Sequence, residues 1–195
     1  MYGTSIDWAG ILVEKLSGLS LEEYFRKNIS EPLGMNSTWF NVPEELHHLI
    51  VSSSTRDKST NELINNPQKI PKERKKFSGG GGLFSSPTDY GRFLICMLNK
   101  GTYNNTTIIK SETFDLMNSP QLETYKQQHR YVEVGNVDND ARGDKDNFFD
   151  NFDNWTLAWG YEENSKIRPI GTSYWAGFYN TYFTIDYQNG FALLH

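Results

Sequence analysis

Apolar positions recurring every three or four residues open the chain. Trp8, Ala9, Leu12, Val13 and Leu16 fall on one side of a helical wheel, which predicts a helix from Ile6 to Ser17 with these residues as one apolar stripe. Ser5 stands where a cap belongs and Gly18 supplies the stop. A second helix is predicted from Leu21 to Ile29, with Leu21, Tyr24, Phe25 and Ile29 facing one way. Ser20 and Glu23 have the spacing of a capping box, and Pro32 ends the pattern. A third helix starts at Ser86-Pro87-Thr88-Asp89, with proline at the first helical position. Its core face is Tyr90, Phe93, Leu94, Met97 and Leu98, and Gly101 closes it. A short helix from Glu112 to Asn118, capped by Ser111, follows.

Towards the C-terminus the helical repeat gives way to strand-like runs. Thr172 to Trp175, Asn180 to Tyr187 and Phe191 to Leu194 read as strands. The last two are joined by Gln188-Asn189-Gly190, and an Asn-Gly turn between hydrophobic runs is a strong hairpin signal. Helices followed by an antiparallel sheet give an α+β class. Polar stretches separate these regions. Residues 47–76 include Ser52-Ser53-Ser54-Thr55 and the cations Lys69, Lys72, Arg74, Lys75 and Lys76. They read as a solvated loop, with a localisation signal or anion site as the rival readings. Residues 133–154 are rich in Asp and Asn. Asp138, Asp140 and Gly143 resemble a calcium loop. However, Arg142 occupies an oxygen-ligand position and Phe149 stands where a bidentate Glu belongs, so calcium is not expected.

Composition narrows the function classes. The 195 residues carry 19 basic and 24 acidic side chains, a formal charge of −5. That length fits one domain or a large piece of one. With 37% hydrophobic and 14% aromatic residues the chain is no disordered acidic tail. The acidic balance argues against a nucleic-acid partner. The longest apolar run of the third helix, Phe93 to Leu98, is far short of a membrane span, so no membrane partner is expected. One cysteine, Cys96, excludes a disulfide framework, and the histidines lack His-x-x-x-His spacing, so no metal is expected. There is no Gly-x-Ser-x-Gly elbow. Gly79-Gly80-Gly81-Gly82 lacks the Gly-Lys-Ser/Thr of a phosphate loop. It reads either as a flexible turn or as a turn whose missing side chains leave room for a ligand.

Three stretches together resemble one family. They are Tyr2-Gly3-Thr4-Ser5-Ile6-Asp7-Trp8-Ala9-Gly10, continuing to Glu31-Pro32-Leu33-Gly34-Met35-Asn36-Ser37-Thr38; Gly80-Gly81-Gly82-Leu83-Phe84-Ser85-Ser86-Pro87-Thr88-Asp89-Tyr90; and Tyr174-Trp175-Ala176-Gly177 followed by Asn180 to Asp186. Their order and spacing are similar to serine β-lactamase-related proteins, in the branch of carboxylesterases and lovastatin-type acyltransferases. The resemblance covers residues 2–46, 77–118 and 157–194. It implies a β-lactamase/transpeptidase-like fold and acyl transfer through a covalent serine ester, with a small-molecule ester or acyl substrate and no cofactor. By the same resemblance Tyr2 is the proton shuttle, and Trp175, Ala176 and Gly177 form one wall of the acyl pocket. The backbone N–H of Phe178 would point at the oxyanion, and Gly81 would line the opposite rim. Trp175 stands where penicillin-recognising relatives have the lysine of Lys-Thr-Gly, which implies esters in preference to β-lactams.

One departure weighs against the matches. The family's nucleophile is the serine of Ser-x-x-Lys, and no such motif occurs in these residues. The nearest sequences, Thr55-Arg56-Asp57-Lys58 and Thr107-Ile108-Ile109-Lys110, carry threonine and follow the tyrosine. The expectation is that residues 1–195 are the C-terminal portion of a β-lactamase-related domain. Its N-terminal half, which holds the nucleophile, and its terminal helix would be missing, and residues 47–76 and 118–156 would be variable polar insertions. Two other readings stay open: a non-catalytic homologue that has lost the nucleophile, and a free-standing aromatic-rich binding module.

Overall fold

A computed structural model describes residues 4–121, 154–163, 168–177 and 179–195. The chain divides into two compact units, Gly3–Asp89 and Tyr90–His195.

In the first unit, α1 (Ser5–Ser17) and α2 (Leu21–Phe25) form the expected helix pair. Thr4, not Ser5, holds the position before α1, and it makes no side-chain cap bond. Gly18 closes α1 in the left-handed conformation, φ 72°. The capping box of α2 is complete: Glu23 accepts from the Ser20 amide at 2.8 Å and Ser20 Oγ accepts from the Glu23 amide at 3.3 Å. Beyond Phe25 the helix widens into a π-turn, Arg26–Ser30. Of the apolar stripe of α1, Val13 is half-buried and the larger side chains stand exposed. Trp8, Leu12 and Leu16 are 67%, 57% and 81% exposed, and Gly10 is the buried residue of the helix. The Gly10 side of α1 makes a close approach: a Cβ on Gly10 would lie 3.2 Å from Gly79 Cα and 3.3 Å from Leu21.

The core of this unit gathers Leu21, Leu33, Met35 and Phe40, with Phe25 and Phe77 packed on the Phe40 ring at 5.4 and 5.2 Å. Paired backbone bonds between Trp39 and Phe84 (2.9 and 2.8 Å) tie the middle of the unit to its end. Buried Asp89 accepts from the Ser37 amide at 2.6 Å and the Thr38 hydroxyl at 3.0 Å. Within the stretch expected as a loop, a 3-10 turn (Glu44–Leu49) precedes an exposed hairpin of β1 (Ser54–Arg56) and β2 (Leu63–Asn65).

The second unit takes most of α3 (Pro87–Leu98), where Leu94, Cys96 and Met97 are buried. A small hairpin, β3 (Thr102–Tyr103) and β4 (Thr106–Thr107), leads to α4 (Ser111–Met117). Lys110 precedes α4 without a side-chain cap, where Ser111 was the expected cap. Among the described residues the sheet has five antiparallel strands, in chain order: β5 (Asn154–Trp155), β6 (Gly160–Tyr161), β7 (Ser173–Ala176), β8 (Tyr182–Asp186) and β9 (Phe191–Leu194). Tyr174, Phe183, Ile185, Trp159 and Phe114 are buried in this unit. The β8–β9 turn forms at Asn189-Gly190 as expected, with Gly190 at φ 72° and its amide donated to Asp186 O at 2.9 Å. The calcium-like positions Asp138, Asp140, Arg142 and Gly143 lie outside the described residues.

Candidate active site

The glycine-rich turn is held by the start of α1. Asp7 accepts hydrogen bonds from the Ser78 hydroxyl and from the Gly80 amide, the latter at 3.0 Å. These bonds, Ser78 first, hold the Asp7 carboxyl below its ordinary value. A Cβ at Gly79 would fall 2.2 Å from Ile6 O, so backbone meets backbone there. Gly81 differs from its neighbours: a Cβ on it would meet nothing within 4 Å. Gly82 has φ 93°, and Arg74 Nη1 lies 2.1 Å from where its Cβ would stand.

In the other unit, Trp175 and Ala176 end β7 and Gly177 follows. The Gly177 amide donates to Thr181 O at 2.6 Å, and a Cβ on Gly177 would sit 2.2 Å from Thr181 Oγ1. The turn back to β8 closes with the Asn180 amide on Gly177 O at 3.2 Å, and Asn180 takes φ 58°. Asparagine tolerates this left-handed conformation better than most residues. Half-buried Trp175 meets Trp155 edge-on, with ring centroids 4.8 Å apart and planes at 74°. Tyr174, 1% exposed, lies across Gly160, where a Cβ would come within 2.8 Å of its Cζ. The Arg168 guanidinium sits 3.8 Å from the Tyr174 ring centroid, and Arg168 Nε is 3.7 Å from buried Glu162.

Sequence reasoning missed the anchor beside this strand. Asn118 Oδ1 accepts from both Ser173 Oγ and Trp159 Nε1, each at 2.7 Å. Asn118 is 55 positions from Ser173, and only the folded chain reveals the pairing. Trp155 was equally hidden at the end of a polar stretch.

Trp175, Ala176 and Gly177 are thus consecutive in one unit and Gly81 belongs to the other. Tyr2 and Phe178 lie outside the described residues. Cys96 offers no substitute nucleophile: it is fully buried, and burial pushes its thiol up to about 11, which keeps it protonated near neutral pH. Among the described residues no group of three or more His, Cys, Asp or Glu could hold a metal ion, and no helix is long and apolar enough to cross a membrane.

Comparison with known proteins supplies the context. ML-236A carboxylate methylbutanoyltransferase of Penicillium citrinum is 30% identical over 125 residues, which span 63% of this chain and 29% of that protein. Monacolin J acid methylbutanoyltransferase of Aspergillus terreus is 31% identical over 126 residues, 63% of this chain and 30% of its own length. A mutant of simvastatin synthase (LovD) from Aspergillus terreus superposes with a TM-score of 0.77 at 25% identity, covering 99% of this chain and 48% of that one. The chain therefore spans about half the length of that solved relative, and its fold is part of a β-lactamase/transpeptidase-like one. The family model named Beta-lactamase matches residues 3–194, nearly the whole chain, and the protein belongs to the beta-lactamase family, in the branch that holds lovastatin-type acyltransferases.

Proposed function

We propose that this chain is the C-terminal portion of an enzyme that moves acyl groups through a serine ester. A serine Oγ attacks the donor carbonyl and the donor's alcohol or thiol leaves with a proton. Water or an acceptor hydroxyl then attacks the acyl-serine, regenerating the serine hydroxyl. The nucleophile and its lysine lie outside these residues in this reading. Tyr2 shuttles the proton, the Phe178 amide helps hold the oxyanion, and Trp175, Ala176, Gly177 and Gly81 border the acyl group. The observation that carries the reading is the order of the Tyr2, Gly80–Gly82 and Trp175-x-Gly177 motifs within a chain matched by the family model almost end to end. Two relatives named for passing a methylbutanoyl group to a carboxylate or acid support a small organic acid as the acceptor.

A second reading rests on the absence of Ser-x-x-Lys from the 195 residues: a binding homologue without a nucleophile. Intact-mass labelling with a fluorophosphonate separates the two. The protein expressed with whatever coding sequence precedes Met1 should take up one equivalent. The 195-residue chain alone should remain unlabelled and hydrolyse p-nitrophenyl butyrate no faster than buffer. Absence of an adduct on the longer protein would favour the binding homologue. Titratable turnover by the 195-residue chain would overturn the assignment of the nucleophile elsewhere.

A further inference from the structure

Arg74 is exposed, yet its backbone is fixed. Its amide donates to Asn41 Oδ1 and its carbonyl accepts from Asn41 Nδ2, both at 2.9 Å and across 33 positions of sequence. The Asn41 amide is held in turn by Glu22 Oε2 at 2.7 Å. The guanidinium reaches the face of Gly82 that any side chain would fill. Among the described residues it makes no hydrogen bond or ion pair.

Arg26, in the same unit, is the useful contrast. Its guanidinium stacks on Trp39 at 3.9 Å and bonds to Met35 O at 3.3 Å and Glu31 at 3.4 Å, as expected of an arginine that serves the fold. Arg74 has its anchor in the backbone and leaves its fork of donors without a hydrogen-bond partner against Gly82, next in sequence to the open Gly81. The surrounding sequence is basic: Lys69, Lys72, Arg74, Lys75 and Lys76 against the single acid Glu73, in a chain of net charge −5. Such a patch draws anions, and a guanidinium binds a carboxylate through two parallel N–H donors.

We propose that Arg74 binds the carboxylate of the acyl acceptor at the Gly81–Gly82 turn and so sets acceptor specificity. The proposal rests on the acyl-transfer reading above. It adds the residue that selects an acid over a neutral alcohol.

Two measurements test it. The first is transfer from p-nitrophenyl butyrate to 6-hydroxyhexanoate or to 1-hexanol, with the protein expressed with whatever coding sequence precedes Met1. Arg74→Gln should lower the ratio of transfer to the hydroxy acid over hexanol by tenfold or more, and Arg74→Lys should fall between. An unchanged ratio overturns the proposal. So does a loss confined to butyryl-coenzyme A as donor, which would assign Arg74 to a donor phosphate. The second measurement needs no catalysis. In the 15N-labelled 195-residue chain, sodium 6-hydroxyhexanoate should shift the Arg74 Nε–H and Gly82 amide resonances saturably, and 1-hexanol should not. Absence of that shift overturns the proposal. The shift without any acyl-enzyme in the longer protein supports Arg74 as a carboxylate site and overturns the acyl-transfer reading instead.

Discussion

The Asp7 carboxylate accepts the Gly80 amide proton at 3.0 Å across 73 positions of sequence. The Ser78 hydroxyl completes the tether, so two of the stretches that carry the family resemblance meet in one piece of structure.

Replacing Asp7 by Ala should speed hydrogen exchange at the Gly80 amide at least tenfold, and Asp7→Asn should have a smaller effect. The tether is also pH-dependent. The folded value lies below the ordinary 3.8, so folding favours the ionised carboxylate. Its contribution is whole above the unfolded value and fades as pH falls through the lower folded value. The Tm difference between wild type and Asp7→Ala should therefore be full at pH 6 and shrink below pH 3.8. A difference that stays constant down to pH 2.5 would rule out this linkage.

Gly81→Ala and Gly82→Ala should part company. Alanine at φ 93° is strained, by about 1–2 kcal/mol, whereas a Cβ at Gly81 enters open space and should change stability by less than about 0.5 kcal/mol. Urea unfolding of the two variants makes the comparison. If Gly81 lines the acyl pocket, its variant should lower kcat/KM in the longer protein despite its unchanged stability. Equal stabilities for the two variants would contradict the backbone argument.

Asn118→Leu should cost about 3 kcal/mol, because it strands the Trp159 N–H and the Ser173 hydroxyl in places where water does not reach. Chemical denaturation should show this as a lower midpoint with an unchanged slope. A loss under about 1 kcal/mol would mean that the neighbouring groups find other partners.

If Trp175 borders the acyl group as proposed, the enzyme should favour short neutral acyl esters. An indole face cannot pair with a β-lactam carboxylate as a lysine does. The kcat/KM for p-nitrophenyl butyrate should exceed that for nitrocefin by at least ~100-fold, or about 2.7 kcal/mol. Equal values would remove Trp175 as the determinant of that choice.

Much of this architecture was legible in the sequence because its signals are local. The Ser20–Glu23 box, the Ser86-Pro87 helix start and the Asn189-Gly190 turn each act within a few residues, and each formed where expected. The Gly10–Gly79 approach was not legible, because helical periodicity does not report which glycine meets another backbone. The β1–β2 hairpin was hidden because its side chains are exposed and carry no alternation of burial. At the candidate site, the residue types of Gly81 and Trp175-Ala176-Gly177 were readable. Their supports, Asp7, Trp155 and Asn118, come from distant positions and had no signature of their own.

The Gly10–Gly79 contact also bears on how the sequence can vary. Both positions already carry the smallest side chain, so an enlargement at one cannot be offset by a reduction at the other. Neighbours in an ordinary core drift by trading volume, and this pair has none to trade. Side chains should therefore be gained in this turn at Gly81, where a Cβ meets nothing within 4 Å, while the glycine seam stays fixed.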